Sequence, residues 1–181
     1  MPIAILPDPL SLLRPVSKVI TASRTRPANA TAYVAGQILS DSTTAATMMS
    51  FAGCARANGL GGLLDYLTVV SQTAPATAPD LELHLFDTAP SLTSQNDASV
   101  FNPTDAELEK AIFTVSIPGS SRIISAPLAS NGNSEWHIAL GGKSFQCAAA
   151  DTALYAIVVV RSAYTPTSGE KFTFRLHAIQ D

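Results

Sequence analysis

An all-β fold is predicted from the sequence: an antiparallel β-sandwich of jelly-roll-like organisation, with an extended N-terminal arm and one short helix. Three observations lead there. Runs rich in β-branched and aromatic residues recur between clusters of Gly, Pro, Ser and Asn, which is the pattern of short strands joined by turns. Two segments alternate strictly: Leu81, Leu83 and Leu85 against Glu82, His84 and Phe86, and Phe172, Phe174 and Leu176 against Thr173, Arg175 and His177. A period of two belongs to a strand with one face on a core. Finally, only one segment reads as helix, and the charged residues make up 14% of the chain against about 25% in ordinary globular domains. That composition excludes a long coiled coil and a disordered chain. The 181 residues are enough for one domain with a substantial core.

The elements follow in order. Residues 1–30 contain Pro2, Pro7, Pro9, Pro15 and Pro27, which remove amide donors and interrupt regular structure. They are expected to form an extended arm with one short strand near 18–23, ahead of a sandwich domain over 31–181. Candidate strands in that domain are 32–39, 47–56, 63–73, 81–87, 112–117, 122–125, 135–140, 143–149, 153–162 and 171–179. The stretch 154–160 is apolar throughout apart from Tyr155 and reads as a central strand buried on both faces. The helix is expected over 103–112, with Asn102 as its cap, Pro103 in the first position, and Asp105, Glu107 and Glu109 near its positive end. Gly141-Gly142 falls between two candidate strands and predicts a two-residue hairpin. Gly59, Gly61 and Gly62 lie close together, but no Lys-Ser or Lys-Thr follows, so they mark a turn or bulge rather than a phosphate loop.

Charge is distributed unevenly along the chain. Residues 1–60 carry Arg14, Lys18, Arg24, Arg26 and Arg56 against Asp8 and Asp41, a net +3; residues 61–110 hold eight acidic groups against Lys110, a net −7. The two blocks are expected to meet, within one subunit or between neighbours. Cys54 and Cys147 are expected to be reduced and buried, since disulfide-stapled secreted chains carry more cysteines. The N-terminus lacks a basic leading region and is broken by prolines, so it does not read as a signal peptide. No apolar run approaches the roughly 20 residues of a bilayer span. A positive mean hydropathy in a chain of this type points to apolar surface buried against another subunit.

Signals for chemistry are weak. His84, His137 and His177 each sit in a strand without a second ligand at a recognised metal spacing, although Glu82 shares a face with His84 and Glu135 with His137. No Gly-x-Ser-x-Gly elbow occurs, and the spacing of Asp97, Asp105, Glu107 and Glu109 does not match a calcium loop. The expectation is therefore no catalytic, cofactor or metal residues, and no enzyme. An acidic chain without a basic, aromatic-interleaved stripe is not expected to bind nucleic acid.

Three stretches carry a resemblance. The run Thr25-Arg26-Pro27-Ala28-Asn29-Ala30-Thr31-Ala32-Tyr33-Val34-Ala35-Gly36-Gln37-Ile38 is similar to the opening of a group of small structural proteins encoded beside capsid genes in tailed bacteriophages. Leu81-Glu82-Leu83-His84-Leu85-Phe86-Asp87-Thr88-Ala89-Pro90, followed by Asn96-Asp97-Ala98, resembles the same group's strand and loop, and Tyr164-Thr165-Pro166-Thr167-Ser168-Gly169-Glu170-Lys171-Phe172-Thr173-Phe174 its last hairpin. The loop departs from the group in continuing Ser99-Val100-Phe101, with the aromatic residue further on. The resemblance implies a virion component of the capsid decoration or cement type, often trimeric, on the outer surface of the head and in the host cytoplasm during assembly. Its implied partners are the major capsid protein and other copies of itself, with no nucleic acid and no membrane. On this reading the arm would contact the capsid or a neighbouring subunit through Leu10, Leu12, Leu13, Arg14, Lys18, Arg24 and Arg26. The competing readings are a carbohydrate- or receptor-binding module, with Trp136, Tyr155 or Tyr164 stacking on a sugar ring, and a tail or neck connector.

Overall fold

A computed structural model describes residues 15–74, 77–92, 95–125 and 132–181. In chain order it contains β1 (Val16–Thr25), β2 (Ile38–Leu39), β3 (Met49–Phe51), β4 (Gly61–Ser71), β5 (Leu81–Phe86), α1 (Asp105–Leu108) and β6 (Ala111–Ile117). A 3-10 turn at Gly119–Ser121 leads to β7 (Ile123–Ser125), β8 (Asn133–Gln146), β9 (Leu154–Val160) and β10 (Lys171–Gln180).

Two antiparallel sheets face each other. The larger has the order β1-β10-β4-β8-β7 and the smaller β2-β9-β5-β6, with β3 also pairing with β9. The pairing is nested: the first strand with the last, β2 and β3 with β9, β4 with β8, and β5 with β6. A long two-stranded ribbon rolled so that successive pairs fall in alternate sheets has this order, which is the jelly-roll topology. The inner faces form the core, in which Trp136, Phe51, Phe172, Phe174, Leu64, Leu67, Leu83 and Leu85 are fully buried. Burial of each such side chain contributes about 1.5–3 kcal/mol. As its apolar run suggests, β9 lies inside the smaller sheet, between β2 and β3 on one side and β5 on the other. Cys54 and Cys147 are buried free thiols. Burial pushes Cys54 up to about 12 and Cys147 up to about 11.

Four expectations change. The strand near 18–23 is longer and is paired with β10 along all ten residues, so this part of the expected arm belongs to the sandwich. The segments 32–39 and 47–56 contribute only Ile38–Leu39 and Met49–Phe51 to the sheet. The helix is a single turn that starts later than expected, because Glu107 reaches back to Thr104. Its carboxylate accepts from the Thr104 amide at 3.0 Å and the hydroxyl at 3.2 Å, and this reciprocal cap fixes the first turn at Asp105. Lastly, Gly141-Gly142 makes no hairpin. Both glycines have φ near +67°, the left-handed geometry of a tight turn, but β8 pairs with β4 on either side of them. They form a bulge within one strand.

Candidate interaction surface

The outer faces of the two sheets differ. That of the smaller sheet carries a second apolar cluster of Ile38, Phe86, Ile157 and Val159, on which Leu92 and Phe101 from the β5–β6 connection are packed. Backbone bonds hold this cover down: Ile38 N–H donates to Ser99 O and Ala98 N–H to Ile38 O, both at 2.8 Å. Among the described residues no such cover lies on the larger sheet, where Val19, Leu63, Tyr66 and Ile123 remain 37–51% exposed.

A bulge creates the centre of this open face. Between β4 and β10 the register shifts so that His177 pairs with Tyr66 and Ala178 with Leu64, leaving Asp65 as the extra residue. One additional residue reverses the facing of everything beyond it. Leu64 and Leu67 both point inward while Asp65 and Tyr66 are both exposed. Tyr66 is thereby laid over His177, with ring centroids 3.8 Å apart and planes 15° from parallel. Desolvation lowers the His177 pKa; Arg175 and His137 act in the same direction and Asp65 against it. The register defines three rows across the sheet: Ile179 and Leu63; Val19, His177, Tyr66 and Ala139; and Thr21, Arg175, Thr68 and His137. His137 is held by Glu135 at 3.1 Å. The surface is broad, mixed apolar and polar, and suits contact with a protein better than enclosure of a small molecule.

The residues expected to make the contacts are placed differently. Leu10, Leu12, Leu13 and Arg14 lie outside the described residues. Lys18 is exposed and donates to Gly53 O at 3.1 Å. Arg24 and Arg26 are buried, and their charge is used inside the subunit. Arg24 pairs with Asp41 at 3.2 Å and donates to Thr47 O at 2.6 Å. Arg26 pairs with Asp97 at 3.1 Å, with both side chains essentially inaccessible, and its guanidinium lies 4.5 Å from the Tyr33 ring centre. The Tyr33 hydroxyl donates to Asp97, and its own pKa is raised, first by desolvation and then by Asp97. Arg26 and Asp97 thus join the basic leading block to the acidic middle block within one chain.

The aromatic residues considered for sugar stacking are also occupied. Trp136 is fully buried, Tyr164 is buried and stacks on Tyr33, and the half-buried Tyr155 donates to Asp151. Among the described residues no three His, Cys, Asp or Glu side chains are grouped so as to hold a metal ion. What the sequence reading missed was Tyr66. The signal was the spacing of three between Leu64 and Leu67 across Asp65 and Tyr66, which marks a bulge in a strand.

A pH dependence follows from His84, on the covered face. Its Nδ1 lies 3.1 Å from the Thr114 hydroxyl and its Nε2 3.3 Å from Glu82. Desolvation lowers its pKa; Glu82 opposes this and Arg161 reinforces it. The unfolded chain, with an ordinary histidine pKa of about 6.5, therefore binds the proton more readily than the folded one. The stability that neutral His84 contributes is present above about pH 6.5 and is lost as the pH falls through the lower folded value. His177 acts in the same sense. Thermal melts are expected to be level near neutrality and to shift down over the interval below about pH 6.5, with His84→Gln reducing the shift. An unchanged melting temperature across that interval would exclude this coupling.

Compared with known proteins, the chain matches no family model and no curated protein.

Proposed function

We propose that this protein is a capsid decoration or cement protein, which binds the outer surface of a tailed-phage head and stabilises the shell through protein–protein contacts. The observation that carries the reading is the asymmetry of the sandwich: among the described residues one outer face is covered by its own chain, and the other is an open, mixed-polarity sheet built around Tyr66, His177, Val19 and Leu63. A cement protein needs area and shape complementarity between subunits, and stable interfaces of this kind bury about 2,000 Å² or more. The resemblance over 25–38, 81–98 and 164–174 points to the same role, with the major capsid protein and other copies, as a homotrimer, for partners.

The test is binding to assembled heads that lack the protein. Saturable binding at hundreds of copies per particle, with raised resistance to heat, is the expected result. Tyr66→Glu, which adds charge at an exposed position and leaves the core intact, is expected to weaken occupancy at least tenfold, equivalent to about 1.4 kcal/mol. Absence of binding would refute the proposal; saturation at six or twelve copies would point instead to a tail or neck connector.

A further inference from the structure

The strand edges of the sandwich are guarded unequally. Sheet edges carry unpaired backbone groups that invite another strand, and proteins normally protect them with short strands, charges, prolines or a cover. On the larger sheet, β7 has three residues, and β1 carries Lys18 and Arg24. On the smaller sheet, β2 and β3 are short, and the 98–101 segment bonds to residues 36–38 beside them. At its opposite edge lies β6, Ala-Ile-Phe-Thr-Val-Ser-Ile, with no charge, no proline and no glycine. Among the described residues it pairs with β5 alone. Seven uncharged residues of high β-propensity on an open edge make an aggregation hazard unless something pairs with them.

Among the described residues the flank beside this edge is also open. Between β6 and β8 runs a groove of about 270 Å³, lined by the apolar Phe113, Val115, Ile138 and Leu140 and by the polar Thr114, Ser116 and Lys143. Phe113 and Ile138 pack on the core yet stay only half-buried.

We infer that β6 pairs with β6 of a second copy, antiparallel about a two-fold axis at Thr114, so that the smaller sheets of two subunits become one continuous sheet. The sequence of the strand argues for this occupant. A two-fold axis perpendicular to the sheet keeps each residue on its own face, so Thr114 meets Thr114, Phe113 meets Val115 and Ile112 meets Ser116. No like charges are opposed within the two strands, and the Thr114–Thr114 and Phe113–Val115 pairs are of kinds that favour strand association. The half-exposed Phe113 gains a β-branched neighbour over the groove. The inference is independent of the capsid reading. A three-fold contact elsewhere on the surface would convert the dimer into paired trimers, and would not remove it.

The full chain decides the matter. Its mass in solution is expected to be that of a dimer, or of a hexamer if trimers are paired. Thr114→Lys, at an exposed position, sets two ammonium groups directly opposite each other, and is expected to weaken pairing at least tenfold while the circular dichroism spectrum is retained. Thr114→Cys tests the register without depending on that variant. Directly opposed residues have Cα atoms about 4.5–5.5 Å apart, within disulfide range, so mild oxidation is expected to yield a covalent dimer. Ser116→Cys, displaced by four residues from its counterpart, or about 13 Å along the strand, is expected to yield none. The native cysteines are buried and do not interfere. A monomer or unpaired trimer, an oligomer unaffected by Thr114→Lys, an uncrosslinked Thr114→Cys, or equal crosslinking at both positions would each overturn the inference.

Discussion

Asp97→Ala is expected to lower the stability of the fold by about 3–5 kcal/mol, the range found when one member of a buried ion pair is removed. The carboxylate accepts from Arg26 Nη2 at 3.1 Å, from the Tyr33 hydroxyl, and from the Ser40 amide at 2.9 Å. Arg26, Tyr33 and Ser40 are themselves buried, so these donors would face a protein interior rather than water. Against a total stability of about 5–15 kcal/mol, the loss would be visible as a large fall in the denaturant midpoint. Asp97→Asn, which keeps an acceptor and removes the charge, should fall in between. Replacing Arg26 and Asp97 together with apolar residues should cost less than Asp97→Ala alone, because no charge is stranded. An Asp97→Ala variant within about 1 kcal/mol of the parent would show that the pair adds nothing beyond an ordinary hydrogen bond.

The second large effect concerns truncation. A chain that begins at residue 27 lacks β1, and is expected to lose its cooperative unfolding transition altogether. β1 supplies a ten-residue pairing with β10, buries Ile20 and Ala22, and brings Arg24 to Asp41. Arg26 is lost with it, leaving Asp97 without its counter-ion. A chain that begins at Pro15 keeps all of these and is expected to melt cooperatively, so only the shorter deletion can ask whether Leu10, Leu12, Leu13 and Arg14 contribute to the proposed binding to a capsid. Cooperative melting of the 27–181 chain would show that β1 is dispensable to the sandwich.

Much of the fold was legible in the sequence because alternation is a direct record of which face is buried. Leu81, Leu83 and Leu85, and Phe172, Phe174 and Leu176, point to the core as their spacing requires. The continuous run in β9 likewise announced a strand covered on both sides. Where the reading failed, a local signal had two physical solutions. Two glycines in left-handed conformation serve a hairpin or a bulge equally well, and only the pairing of β4 with both halves of β8 selects the bulge. Arg24 and Arg26 were read as surface charge because basic side chains usually are. Their partners Asp41 and Asp97 are brought to them by the fold, and Asp97 is 71 residues from Arg26 in the chain. Tyr66 was missed because its exposure depends on a single additional residue in β4.

The nested pairing has a consequence for how the molecule comes into being. β1 finds its partner only after almost the whole described chain has followed it, since that partner is β10. Topologies dominated by such distant contacts fold on the slow side, in milliseconds to seconds. During synthesis β1 must wait unpaired, and the sandwich can close only around a finished β10. The protein therefore enters any assembly as a completed unit, and substitutions that slow the final closure would reduce yield in the cell without altering a single contact in the finished fold.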